Sequence, residues 1–279
     1  MASFKRYRTI WLLFLTYGIS YGQKVDLYNW PHMAIDECLT VHFIHTDSIY
    51  DSKQRMTILQ LYKATHAGYE VDLAYSDSAL IRTSDFARNN LAVAAINGSF
   101  FDMKNGGSVT YLESDGKMID STRSKNKLTI NGAIVIGLND SIHIEPSRGD
   151  HFYETSLKEE DVIVSGPLLI YHGVPENLPD VPFVVLRHPR TCLCETRETL
   201  LFATIDGRRE EAQGMSLFEL QKFLISLGCI HAINLDGGGS TTMWGLMNGN
   251  GQILNQPSDP SGERPVANAL VIKKKIIKD

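Results

Sequence analysis

Asp236 stands where an apolar run ends and three consecutive glycines begin, in Ile230-His231-Ala232-Ile233-Asn234-Leu235-Asp236-Gly237-Gly238-Gly239-Ser240-Thr241-Thr242-Met243-Trp244. An extended segment there delivers a carboxylate to backbone stripped of side chains, which a ligand can approach closely. Successive glycine N–H groups also form concave nests that attract anions. A carboxylate beside an anion cradle points to a charged substrate such as a phosphate or an activated sugar. Triple glycines also occur in ordinary loops. Two other phosphate motifs are absent here: no Lys follows as in a Walker loop, and no Gly-x-Gly-x-x-Gly opens a helix.

A second segment has the same construction. Leu91 to Ile96 is apolar and runs into Asn97-Gly98-Ser99-Phe100-Phe101-Asp102, so both segments contain Ala-Ile-Asn and place an Asp just beyond. Two such strand ends can face one cleft. A third source of polar groups is Arg187-His188-Pro189-Arg190-Thr191, which follows apolar Phe183 to Leu186, read as a strand end. Arginine offers a planar fork to two anionic oxygens, and histidine can donate a hydrogen bond or a proton. A solvated charged loop is the simpler alternative for such a run. Asp206-Gly207-Arg208-Arg209 closes another apolar run, although Asp-Gly is also an ordinary turn.

These segments need strands to carry them. β-Branched and apolar runs bounded by Gly, Asp and Asn predict strands at Val41 to His45, Thr57 to Lys63, Gly68 to Ala74, Leu91 to Ile96 and Leu128 to Ile136. Further strands are predicted at Val162 to Tyr171, Thr199 to Ile205, Ile230 to Leu235 and Ala269 to Ile272. One helix is predicted from Ser84 to Asn90. Another follows the capping-box pattern Ser216-Leu217-Phe218-Glu219, with apolar Leu220, Phe223, Leu224 and Leu227 before Gly228 stops it. Helices set among many strands predict an α+β fold: a strand-rich single domain with a mixed β-sheet core and a few flanking helices. Pro-rich Val174 to Pro182 reads as a loop.

At 279 residues the chain can bury a full core, and 43% hydrophobic with 21% charged residues is a globular composition. Lys5, Arg6 and Arg8 precede apolar Ile10 to Tyr17, and Ser20-Tyr21-Gly22 offers small residues. This is the layout of a secretory signal peptide at 1–22, too short for a membrane span and followed by a domain at 23–279. Cleavage after Gly22 removes three cations and no acids, so the net charge moves from −5 to −8. Cations and aromatics do not interleave, which argues against a nucleic-acid partner. Cys38, Cys192, Cys194 and Cys229 allow three disulfide connectivities for one exported chain. Cys229, in an apolar run, is expected to be a buried thiol.

Taken together, these motifs resemble the phosphodiester glycosidase family. The resemblance is carried by Asn97-Gly98-Ser99-Phe100-Phe101-Asp102, Arg187-His188-Pro189-Arg190-Thr191, Ile205-Asp206-Gly207-Arg208 and Asn234-Leu235-Asp236-Gly237-Gly238-Gly239-Ser240-Thr241-Thr242-Met243. A closing block, Asn255-Gln256-Pro257-Ser258-Asp259 with Glu263-Arg264-Pro265-Val266-Ala267-Asn268-Ala269-Leu270, completes it. It spans roughly Leu91 to Ile272 with the blocks in family order. The family usually has a glycine where Ser99 stands, and short aliphatic residues in place of Cys192-Leu193-Cys194.

The resemblance implies an enzyme that hydrolyses a carbohydrate phosphodiester, releasing a free sugar and a phosphomonoester. Breaking the anomeric C–O bond puts positive charge on the sugar and negative charge on the phosphate, which a carboxylate and fixed cations stabilise respectively. On this reading Asp236 is the catalytic carboxylate, Asp102 a second carboxylate or sugar ligand, and His188 a hydrogen-bond or proton donor. Arg187 and Arg190 clamp the phosphate. Asn97 and Asn234 orient the substrate, and Gly98, Phe101, Thr191, Asp206, Arg208, Gly237, Gly238, Gly239, Ser240 and Thr241 complete the pocket. No cofactor is expected, although Asp102, Asp206 and Asp236 are hard oxygen ligands suited to Ca²⁺ or Mg²⁺. The competing readings are a non-catalytic binder of anionic glycans and a phosphodiesterase that cuts the P–O bond.

Overall fold

A computed structural model describes residues 25–63 and 68–275; the predicted signal segment, 1–22, lies outside the described residues. Three antiparallel sheets form the frame. The largest has eight strands in the order His32–Ala34, Leu39–Ile49, Ser52–Tyr62, Thr199–Ile205, Arg190–Glu195, His231–Asn234, Leu168–Tyr171 and Val174–Pro175. A second sheet orders Asn250–Ile253, Met243–Met247, Ala94–Asn97, Asn268–Lys274 and Tyr69–Tyr75. The third orders Lys117–Asp120, Leu112–Ser114, Glu159–Ser165, Gly132–Gly137 and Ile142–Pro146.

The alternation of side chains explains why the largest sheet is covered on both faces. Along Thr199–Ile205 every residue is buried. Leu200 and Phe202 enter a core shared with Ile96 and Leu270 of the second sheet and Ile134 and Ile163 of the third. Leu201, Ala203 and Ile205 face the other way, onto Leu217, Leu220, Phe223 and Leu224 of the helix Leu217–Ser226. Period-two burial on two sides makes a continuous apolar run, which is how this strand reads in the sequence. The capping box is formed: Ser216 Oγ accepts from Glu219 N, and a Glu219 carboxylate oxygen accepts from Ser216 N. The shorter helix Thr83–Asn89 packs Phe86 and Ala87 on Ala95, Trp244 and Ala269 of the second sheet.

The structure corrects four expectations. The sheets are not mixed, because every described strand pairing is antiparallel. The helix Leu217–Ser226 joins Thr199–Ile205 to His231–Asn234, and these flank Arg190–Glu195 on opposite sides instead of pairing with each other. The expected strand Val162 to Tyr171 is two strands, split around Pro167, which follows a cis peptide bond. Phe183 to Leu186 is not a strand end, since Pro182–Val185 is a short helix with proline in its first turn. Cys229 is no thiol but forms a disulfide with Cys194, at a Cα separation of 5.9 Å. Cys192 is buried and reduced. Among the described residues, no helix is long and apolar enough to cross a membrane.

Candidate active site

The strand His231–Asn234 of the largest sheet and Met243–Met247 of the second are joined by a short crossing that holds Asp236 and the glycines. Main-chain bonds stitch this crossing to both sheets. Leu235 N donates to Thr191 O at 2.8 Å, Asp236 N to Gly98 O at 3.0 Å and Gly238 N to Pro189 O at 3.0 Å. The Asn-bearing strand ends therefore do meet, at the seam between two sheets.

Their asparagines face inward, however. Asn97 is 0% exposed: its Nδ2 donates to Asp236 O (2.7 Å), and its Oδ1 accepts from Thr191 Oγ1 (2.8 Å) and Thr242 N (3.1 Å). Asn234 is equally buried, its Nδ2 donating to Gly166 O and Leu235 O. Asn97, Asn234 and Thr191 thus hold the floor of the site, tied largely to backbone and to one another. Asp206 is also buried, and its carboxylate accepts from Asn255 Nδ2 and Gln256 N, each at 3.0 Å. Burial pushes it up to about 6, against the hydrogen bonds and the nearby Arg55 and Arg209. Asn255 in turn donates to Thr241 O and accepts from Met243 N. Asp206 therefore braces the exit of the glycine turn.

The arginine clamp takes a different form from the one expected. Arg190 is 0% exposed; its Nε donates to Met215 O and its Nη2 to Phe183 O and Leu186 O. Burial lowers it to about 9, the Arg208 charge adding to the effect. Arg187 is drawn into an ion pair with Glu219, the capping-box residue, at 2.5 Å, and also donates to Tyr50 O. Both guanidiniums hold loops, although Arg190 Nη1 is buried without a partner among the described residues. The cation that remains is Arg208, exposed and without a hydrogen bond or ion pair among the described residues. It sits on the glycine turn: a Cβ at Gly238, where φ is +63°, would lie 3.0 Å from Arg208 Nη2. Arg264, to which the sequence assigned no role, sits on the same turn. A Cβ at Gly239 would stand 2.2 Å from both Arg264 Nη2 and Asp259 Oδ1. Only glycine leaves room for these groups.

Asp236 is half-buried between them. Its Oδ1 accepts from Gly237 N at 2.9 Å. Burial pushes the carboxyl up to about 6, opposed by the Ser240 hydroxyl, the Gly237 N–H and the Arg264 and Arg208 charges. Ser240 Oγ nevertheless lacks good hydrogen-bond geometry to any described group, as do Thr241 Oγ1 and Thr242 Oγ1, all three buried. His188 is held below its usual range, first by burial and then by Arg190 and Arg208. At neutral pH it offers one N–H and one lone pair, not a charge.

Two expected members stand apart. Asp102 Oδ1 accepts from Lys104 N and Asn105 N and Oδ2 from Asn105 Nδ2, so its carboxylate caps its own turn and is lowered by these bonds. That turn touches the site through Met103, whose Sδ lies 4.0 Å from Arg264 Nη1. Phe101 packs against the cluster under helix Thr83–Asn89. Asp102, Asp206 and Asp236 do not gather, and no group of three acidic, His or Cys side chains among the described residues could hold a metal ion.

A family model described as phosphodiester glycosidase matches residues 90–273. The mouse protein N-acetylglucosamine-1-phosphodiester alpha-N-acetylglucosaminidase is 29% identical over 178 residues, covering 59% of this chain and 33% of the mouse protein. Its bovine counterpart is 26% identical over 185 residues, 62% of this chain and 34% of that protein. The chain thus spans about a third of the length of these curated relatives. Among solved structures, the zebrafish catalytic domain of the same name, auto-inhibited by its pro-peptide, superposes with a TM-score of 0.69. The two are 21% identical, with 87% of this chain and 86% of that one covered. A hypothetical protein from Synechocystis gives 0.65 at 15% identity, covering 88% and 64%.

Proposed function

The chain belongs to the phosphodiester glycosidase family, and from that premise we propose that it is a hydrolase that cleaves a sugar-1-phosphodiester into free sugar and phosphomonoester. The observation that carries this reading is the pairing of a half-buried carboxylate with an uncommitted guanidinium across one glycine turn, Asp236 and Arg208. Arg208, with the N–H groups of the turn, receives the phosphate. Asp236 lies against the anomeric carbon, where it acts as base or nucleophile and offsets positive charge as the C–O bond breaks. The bonding pair leaves with the phosphate, and the oxygen of water ends on the sugar. Phosphate is a competent leaving group, so a single carboxylate suffices. His188, kept neutral, offers its N–H to a phosphate or sugar oxygen. The names of the mammalian relatives favour N-acetylglucosamine as the sugar. We propose further that the chain is exported after loss of residues 1–22, a reading supported by the Cys194–Cys229 disulfide.

The test is a panel of synthetic sugar-1-phosphodiesters assayed for free sugar in ¹⁸O-labelled water. Label in the sugar is expected. Label in phosphate identifies P–O cleavage, and binding without sugar release identifies a glycan-binding protein; either sinks the proposal. On a substrate that turns over, Arg208→Ala raises KM by about tenfold or more. Arg187→Ala lowers stability and leaves KM near wild type.

A further inference from the structure

We propose that Asp259 makes this cleft selective for a singly charged phosphate over a doubly charged one, by occupying Arg264 and leaving Arg208 as the cation on the glycine turn without an ion pair among the described residues. The inference rests on the reading of the cleft as a phosphodiester site. Asp259 Oδ2 accepts from Arg264 Nε at 2.8 Å and Asp259 Oδ1 from Arg264 Nη2 at 3.0 Å, a bidentate, charge-assisted pair. The two side chains are 23% and 24% exposed, so solvent screens them weakly. Gly262 N donating to Asp259 O closes the turn between the partners, and Arg209 Nη2 donating to Pro257 O fixes its approach. The pair lies flat on Gly239, three residues from Asp236, with no room for a Cβ between.

The charges at the turn are then Asp236 and Asp259 against Arg208 and Arg264. Of the other cations, Arg190 is fully buried under the floor with Nε and Nη2 on three carbonyls, and Arg123 is turned onto Ser108 O and Asp120. A phosphodiester brings one negative charge, which Arg208 meets. A phosphomonoester dianion brings a second, which faces two carboxylates with no second unpaired cation on the turn among the described residues. Cleavage at the anomeric C–O bond turns the first kind of ligand into the second. The residue that favours the substrate therefore also promotes departure of the product.

The test measures binding of dimethyl phosphate and inorganic phosphate by calorimetry, with wild type, Asp259→Asn and Asp259→Glu, at pH 8 where inorganic phosphate is mainly the dianion. Asparagine keeps an acceptor for Arg264 and removes only the charge. Asp259→Asn is expected to shift the affinity ratio toward inorganic phosphate by about fivefold or more, and Asp259→Glu to keep the wild-type ratio. A purely structural role weakens both ligands alike, so an unchanged ratio in a folded Asp259→Asn protein overturns the proposal. Wild type supplies a measurement that needs no variant. It is expected to prefer dimethyl phosphate, and the opposite preference overturns the proposal. Wild type that binds neither ligand overturns the phosphodiester reading as well, whereas binding of both without discrimination removes only the role of Asp259.

Discussion

Burial pushes Asp236 up to about 6 in the folded chain, whereas an unfolded aspartate titrates near about 4. Between these values the folded state binds more protons than the unfolded one. Stability therefore falls as pH rises through that window, and the full penalty stands above about pH 6. Asp236→Asn removes the penalty. It should stabilise the protein at pH 7 by on the order of 1 kcal/mol, allowing for solvent at the open side of the carboxyl, and confer nothing below about pH 4. The same substitution should lower kcat by at least about a hundredfold. Melts at pH 4 and 7, set beside turnover, check both halves. A variant that is less stable at pH 7 contradicts the account of Asp236, and so does one that turns over normally. Wild-type activity should also fall as the pH drops below about 6, where Asp236 takes up its proton.

The crossing from Leu235 to Thr242 depends on Asn97 more than on any residue of its own. Asn97→Ala leaves Asp236 O without its side-chain donor and Thr191 Oγ1 and Thr242 N without their acceptor, all in a dry seam. Each orphaned group costs about 1–3 kcal/mol, so the variant should lose roughly 3 kcal/mol in a denaturant titration and most of its activity. Loss of activity with unchanged stability would instead make Asn97 a ligand of the substrate. How much of this was legible in the sequence follows from locality. The capping box at Ser216 and the strand Thr199–Ile205 were readable because neighbouring residues decide them. Asp236 and Arg208 each adjoin a glycine in the sequence, which marks them as turn residues but does not reveal that Arg208 sits against Gly238. The fate of Arg187 was not readable, because Glu219 lies 32 residues away, and that of Arg190 only in part, because Met215 O lies 25 away while Phe183 O and Leu186 O are local. Arg264 lies in the closing block Glu263 to Leu270, but its seat on Gly239 exists only once the second sheet has formed. Asn97 and Asn234 end their strands at the seam, yet sequence does not tell an asparagine that ties down backbone from one that faces a ligand.

At the scale of the whole molecule, three sheets share one buried cluster, in which Leu59, Phe202 and Ile233 of the first meet Leu270 of the second and Ile163 of the third. Its one described disulfide, Cys194–Cys229, closes a span of 35 residues that includes helix Leu217–Ser226. Cross-linking a loop of this length contributes about 2–4 kcal/mol, so Cys229→Ser should lower the melting temperature by several degrees. Mature protein recovered from outside the cell should begin at Gln23 on N-terminal sequencing. A first residue of Met1 would contradict export by signal cleavage. The bond also has an address. On the strand Arg190–Glu195, Arg190 lies at the end that floors the site and Cys194 near the other, roughly 13 Å along an extended chain. A mild reductant should therefore shorten the protein's working life in the heat while leaving its initial velocity intact, so that durability and speed are governed from opposite ends of a single strand.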